Sequence, residues 1–235
     1  MTVAAGAAPN VTVTTIRRTL RIGWTYLAIG AFVSLLLTGI LLFGVHRGSA
    51  FVTTYPLELP IFAVLGSTGG LMTFTSDRTK GVFEYLIAYG VRPRSLFVNG
   101  LLATITMASI VLGLALALGL GLAVATGITL TTDFLQTVAL YTIPMSLAGA
   151  LFTSTVGMIW TSISTPRTGM NSPVGLAPMV GIAPTVLVLV VAETLPSSEF
   201  YYFTAGAAAA IVLAVVGLLA ASARLMGRER FLSPL

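Results

Sequence analysis

Six long apolar runs divide the chain, at 22–45, 57–75, 96–130, 134–163, 174–192 and 200–223, with polar, charged or proline-bearing stretches between them. An α-helix rises 1.5 Å per residue, so about 20 apolar residues cross a hydrocarbon core of about 30 Å. The pattern predicts an all-α membrane protein with six transmembrane helices. The second run is short and glycine-rich (Gly66, Gly69, Gly70), and the polar stretch Thr53–Pro56 before it reads as a loop. The third run is too long for one straight span and is expected to tilt or project. The fourth contains Pro144, and the fifth Pro178 and Pro184. Ahead of the first run, Val13, Ile16 and Leu20 recur at helical spacing among Arg17, Arg18 and Arg21, which predicts an amphipathic helix lying in the membrane interface. Three parts follow: a tail and interfacial helix at 1–21, a transmembrane domain at 22–223, and a tail at 224–235.

Composition agrees with this pattern. Hydrophobic residues make up 56% of the chain and charged residues 8%, against about a quarter charged in ordinary soluble domains. The net charge of +5 does not point to nucleic acid, because the basic residues sit in short clusters beside apolar runs. An even number of spans puts both termini and the 76–95 and 164–173 loops on one side. That side holds eleven of the 12 basic residues, and Arg47 alone lies opposite. The positive-inside rule makes the basic side cytoplasmic, in a multi-pass protein of the cytoplasmic membrane with both termini inside. Tyr55 and the aromatics at 200–203 are expected in an outer interfacial belt. The arginine cluster stands too deep, and the apolar run after it is too long, for a secretory signal, so the first span is expected to be uncleaved.

Little in the spans does chemistry. No Lys, Arg, Asp, Glu or His falls in the middle of an expected helix, whereas ion-driven transporters keep such residues despite their insertion cost. There is no cysteine, which removes thiol chemistry and Cys-ligated metals. The lone His46 at a helix end has no triad or metal partners in sight. No GxxxxGK[ST] occurs, and Lys80 is the only lysine, so the chain is not expected to hydrolyse ATP. In the GSTGG stretch, Gly66 and Gly70 form a small-xxx-small pair suited to close helix packing.

The stretch 76–95, SDRTKGVFEYLIAYGVRPRS, predicts a helix of about three turns on the cytoplasmic face. Ser76 suits its N-cap, Asp77 its first turn, Gly90 its stop, and Pro93 bars its continuation. Val82, Phe83, Leu86 and Ile87 form its apolar stripe. A short second span, an acid–base pair, a glycine, an acid with paired aliphatics and a basic-Pro-basic turn together resemble the permeases of ABC-2-type transporters. Asp77 and Arg78 stand at the acid–base pair, Gly81 at the glycine, and Glu84–Tyr85–Leu86–Ile87 at the acid and aliphatics. Val82 replaces the usual Thr.

The resemblance covers the whole chain as a plan of six spans and about twenty residues as a motif. It implies a permease subunit, with no catalysis or cofactor of its own, that exports cargo using a separate ATP-binding-cassette ATPase carrying ATP and Mg. It also implies a second permease copy, as a homodimer, within membrane lipid. Asp77, Arg78, Lys80, Gly81, Glu84, Tyr85 and Tyr89 would form the ATPase-coupling helix. Phe62, Gly66, Gly70, Met72, Met179 and Pro184 on the second and fifth spans would line a path suited to apolar or amphipathic cargo. Two other readings of the sequence stand beside this one: an ATP-independent secondary transporter or channel, and a structural subunit of a membrane complex.

Overall fold

The computed structural model describes residues 11–43, 49–163, 173–192 and 194–222, and these are helical with short turns between. The helices are α1 (Val11–Ile22), α2 (Trp24–Phe43), α3 (Ser49–Thr79), α4 (Val82–Ala88), α5 (Pro93–Ala125), α6 (Thr132–Thr137), α7 (Ile143–Ile163), α8 (Pro173–Ala192) and α9 (Ser197–Ser222), with a π-helical turn at Val138–Thr142 between α6 and α7. Five stretches are long and apolar enough to cross a membrane: Trp24–Phe43, Phe51–Thr79, Pro93–Ala125, Thr132–Ser162 and Glu199–Ser222. The remaining expected span, 174–192, coincides with α8, where Met179–Val191 is a shorter apolar stretch. The 164–172 loop and the tail beyond Ser222, with their arginines, lie outside the described residues.

At the edge of the bundle, α2 turns mostly small residues inward. In α2 the buried positions are Gly30, Ser34, Thr38 and Leu42, four residues apart, while Phe32, Leu36, Ile40 and Phe43 are exposed. Lipid is as apolar as leucine, so large side chains gain nothing by turning inward. Small ones gain by letting helix backbones meet. The most buried span is α3: 72% of its most apolar 18-residue window is buried, against 22% in α2 and 17% at α9. It is the hub, touching α1, α2, α5, α7 and α8.

The hub is longer than expected. The Thr53–Pro56 stretch is no loop but part of α3, which runs for 31 residues and carries Pro56 and Pro60 inside it. Consequently Tyr55 is not an interfacial aromatic. It is fully buried and stacks on Phe51. Its hydroxyl donates to the Ala115 carbonyl at 2.6 Å. With that proton committed, Ser34 is the donor in the 3.0 Å contact between the two hydroxyls. Glu58 lies half-buried several residues inside α3.

Proline also shapes α7. Pro144 has no N–H for the Leu140 carbonyl, and the backbone before it widens into the π turn, where the Ile143 N–H reaches Val138. The fourth run is therefore one continuous helical stretch with a π turn in it. The third run forms α5, 33 residues long. It ends where Gly127 turns left-handed (φ 76°) and the Ile128 N–H returns to the Ala123 carbonyl.

Gly66 and Gly70 are the points where α3 meets α5. A Cβ on Gly70 would stand 2.5 Å from the Thr104 Cα, and one on Gly66 would stand 3.0 Å from the Ala108 Cα. A Cβ on Gly119 would stand 2.4 Å from the Tyr55 ring, whereas Gly121 has no neighbour within 4 Å. Gly70→Ala and Gly119→Ala are expected to destabilise the protein by about 1–3 kcal/mol through overpacking, and Gly121→Ala to be neutral. Thermal unfolding of the detergent-solubilised variants checks this ranking.

Candidate functional site

The basic end of the bundle is built around the turn from α3 to α5. Gly81 breaks the helix with φ 70°, so α3 stops at Thr79 and the predicted three-turn helix becomes the seven-residue α4. Ser76 and Asp77 accordingly belong to the last turn of α3 and do not cap a new helix. Gly90 acts as the expected stop, with φ 90°. Its N–H bonds the Ile87 carbonyl and the Val91 N–H bonds the Leu86 carbonyl, a Schellman closure. Pro93 does more than end α4, because it opens α5 in the first helical turn, where its missing N–H is harmless.

The apolar stripe of α4 fixes it to the bundle. Phe83 and Ile87 are buried. The Phe83 ring meets Phe74 of α3 edge-on, with centroids 4.9 Å apart, and Phe74 in turn meets Phe97 of α5 at 6.2 Å. The opposite face carries Tyr85 and Tyr89, 61% and 73% exposed, with ring centroids 4.6 Å apart. A hydrogen bond with Tyr89 pushes the Tyr85 hydroxyl above its ordinary pKa. Lys80, Arg92 and Arg94, which flank α4 in the sequence, are exposed.

The acids expected to share that face do not. Asp77 is buried, and its Oδ1 lies 2.7 Å from an Arg18 guanidinium nitrogen of α1. Glu84 is half-buried, with its Oε2 shielded from solvent beside Gly81 and Arg78 as its electrostatic neighbour. Of the seven proposed coupling residues, Lys80, Gly81, Tyr85 and Tyr89 are at the surface, Arg78 and Glu84 are intermediate, and Asp77 is internal.

Sequence reasoning missed the partners in α1. Arg18 was counted for orientation with Arg17 and Arg21, but those two face outward while Arg18 turns to Asp77. Six residues earlier, Thr12 donates to the Asn99 side chain of α5 at 2.8 Å. A crevice of about 30 Å³ lies between these two ties, with Thr15, Thr19 and Thr73 among apolar residues such as Phe74 and Leu96 in its walls. Helix α1 is thus tied by polar contacts to the end of α3 and the start of α5.

The six residues proposed for a path do not share one surface. Phe62, Gly66 and Gly70 are buried, Pro184 is half-buried, and Met72 and Met179 are exposed. Met72 Sδ accepts a hydrogen bond from the Tyr26 hydroxyl at 3.3 Å. Among the described residues, no group of three His, Asp or Glu side chains is placed to hold a metal ion.

Arg18→Ala leaves the Asp77 carboxylate buried without its partner, and removing one member of a buried pair is expensive. The expected loss is about 2 kcal/mol, since Arg18 itself is partly exposed. The variant should also be cleaved faster by trypsin after Arg17 and Arg21 as α1 loosens. The Arg18→Ala, Asp77→Asn double variant removes the buried charge and should recover part of the loss. Thermal unfolding and limited proteolysis check both.

No family model matches the chain, and no curated protein and no solved structure is similar to it.

Proposed function

We propose that this chain is the transmembrane permease subunit of an ABC-2-type exporter. In this reading α8 completes six spans, both termini are cytoplasmic, and two copies pair as a homodimer. A separate ATP-binding-cassette ATPase supplies the energy, and the cargo is apolar or amphipathic. The observation that carries the reading is the exposed Tyr85–Tyr89 pair on a short helix whose other face is anchored by Phe83 and Ile87. Tyrosine on a rigid support is a favoured anchor for protein partners, and a mere connector between two spans has no need to display two rings to water. Lys80, Arg92 and Arg94, exposed and flanking α4 in the sequence, favour an acidic-rimmed partner. They also belong to the basic cluster that marks the cytoplasmic side, where an ATPase would be found.

Glu58 gives the carrier reading its one specific support, as a half-buried ionisable group inside a candidate span.

The test is affinity purification of the tagged chain from its native membrane. The expected result is co-purification of an ATP-binding-cassette ATPase, reduced about tenfold or more in the Tyr85→Ala, Tyr89→Ala variant, since truncating a central tyrosine commonly removes over 1 kcal/mol of binding. Both rings are exposed, so insertion and folding should persist. Absence of any ATPase from the wild-type preparation, with cargo movement by the chain alone in liposomes that stops in Glu58→Gln, would replace the permease reading by a carrier.

A further inference from the structure

At the end of the molecule where α3 begins and α5 ends lies an open cleft of about 680 Å³. That volume falls within the range of small-molecule sites, about 300–1,000 Å³. One wall is α3, another is the Gly127–Thr131 turn with α6, and Phe200 of α9 closes the third. Two chemistries meet in the lining. Leu57, Ile128, Phe134 and Phe200 supply an apolar and partly aromatic surface, while Thr53, Thr129 and Thr131 bring hydroxyls to the rim.

One charged side chain, Asp133, lines the described cleft, and it forms no ion pair with any described residue. The neighbouring hydroxyls are unequal. Thr137 is engaged with the Asp133 carbonyl and the Tyr201 hydroxyl, and Thr131 accepts from the Phe134 N–H. Thr129, exposed on the turn, makes no such bond among the described residues and stands as a further oxygen acceptor. An anion would meet the carboxylate, and a purely apolar molecule would desolvate it without return. A single positive charge attached to an apolar body matches both halves of the lining.

We propose that this cleft binds a monocationic amphiphile, an organic ammonium with an aromatic or aliphatic body. The ammonium pairs with the Asp133 carboxylate, and the body lies against Leu57, Phe134 and Phe200. One carboxylate sets the charge at one. The proposal does not rest on the permease reading, because binding requires neither ATP nor a partner.

Binding of monodansylcadaverine, a primary ammonium with an aromatic end, to the full chain in zwitterionic lipid nanodiscs tests it, with its N-acetylated neutral derivative as comparison. Saturable binding of the ammonium is expected, about tenfold weaker in Asp133→Asn and kept in Asp133→Glu, as a charge-assisted contact requires. The neutral derivative should bind about tenfold more weakly than the ammonium and be indifferent to Asp133→Asn. Phe200→Ala should weaken both probes. Asp133 is exposed, so equal unfolding temperatures of the Asn and Glu variants and the wild type are expected. Equal affinity of the two probes, unchanged affinity in Asp133→Asn, or binding that never saturates would each overturn the proposal.

Discussion

A proline in the central helix, Pro60, imposes the constraint on which the rest of the bundle depends. Pro60 has no N–H, so the Pro56 carbonyl, four residues earlier, loses its helical donor inside a segment long enough to cross a membrane. No water waits in hydrocarbon to replace that bond. The replacement comes from Thr142, whose hydroxyl donates to the Pro56 carbonyl at 2.6 Å, while the neighbouring Tyr141 hydroxyl donates to the Leu57 carbonyl at 3.2 Å. Both donors lie in the π-helical turn that precedes Pro144. The irregularity in one helix thus answers the irregularity in the other, and the two are held in register by it.

Around that pair, glycines and hydroxyls set how closely the helices approach, and Phe51, Tyr55, Leu59 and Phe62 fill the core between them. Gly66 and Gly70 bring α3 onto α5, and Gly119 makes room for the Tyr55 ring. Many buried hydroxyls donate to the carbonyl four residues earlier in their own helix, as Thr104, Thr153, Ser154 and Thr161 do. A hydroxyl satisfied in this way is nearly as compatible with close packing as alanine. On the outer helices large apolar side chains face outward as well, as Phe32 and Leu36 of α2 and Leu213 of α9 do.

This division explains what was legible in the sequence. Long apolar runs report membrane-compatible helices, whether they face outward like α2 or inward like α3, and so the membrane class and the positions of the long helices could be read from them. The bounds of α3 could not, because Thr53, Thr54, Tyr55 and Pro56 look like loop residues in isolation. They are helical because the Tyr55 hydroxyl finds Ser34 and Ala115, and because Thr142 serves the carbonyl that Pro60 frees. At the basic turn, Gly90 and the α4 stripe were readable as local signals. The inward turn of Asp77 was not, since its partner Arg18 is 59 positions away and sits beside two arginines that face outward. Glu84 likewise matched a motif by position, yet its carboxylate is half-buried beside Gly81.

The most direct measurement of the central claim is a double-variant cycle between Pro60 and Thr142, read as unfolding free energy in detergent. Thr142→Val alone removes the donor from the Pro56 carbonyl and should cost about 1 kcal/mol, near the upper part of the range for interhelical hydrogen bonds in membrane proteins. Pro60→Ala restores an N–H that can serve the same carbonyl from within α3. In that background Thr142→Val should cost no more than a few tenths of a kcal/mol. Equal costs of Thr142→Val in the two backgrounds would contradict the account, because Thr142 would then act independently of the carbonyl that Pro60 leaves open.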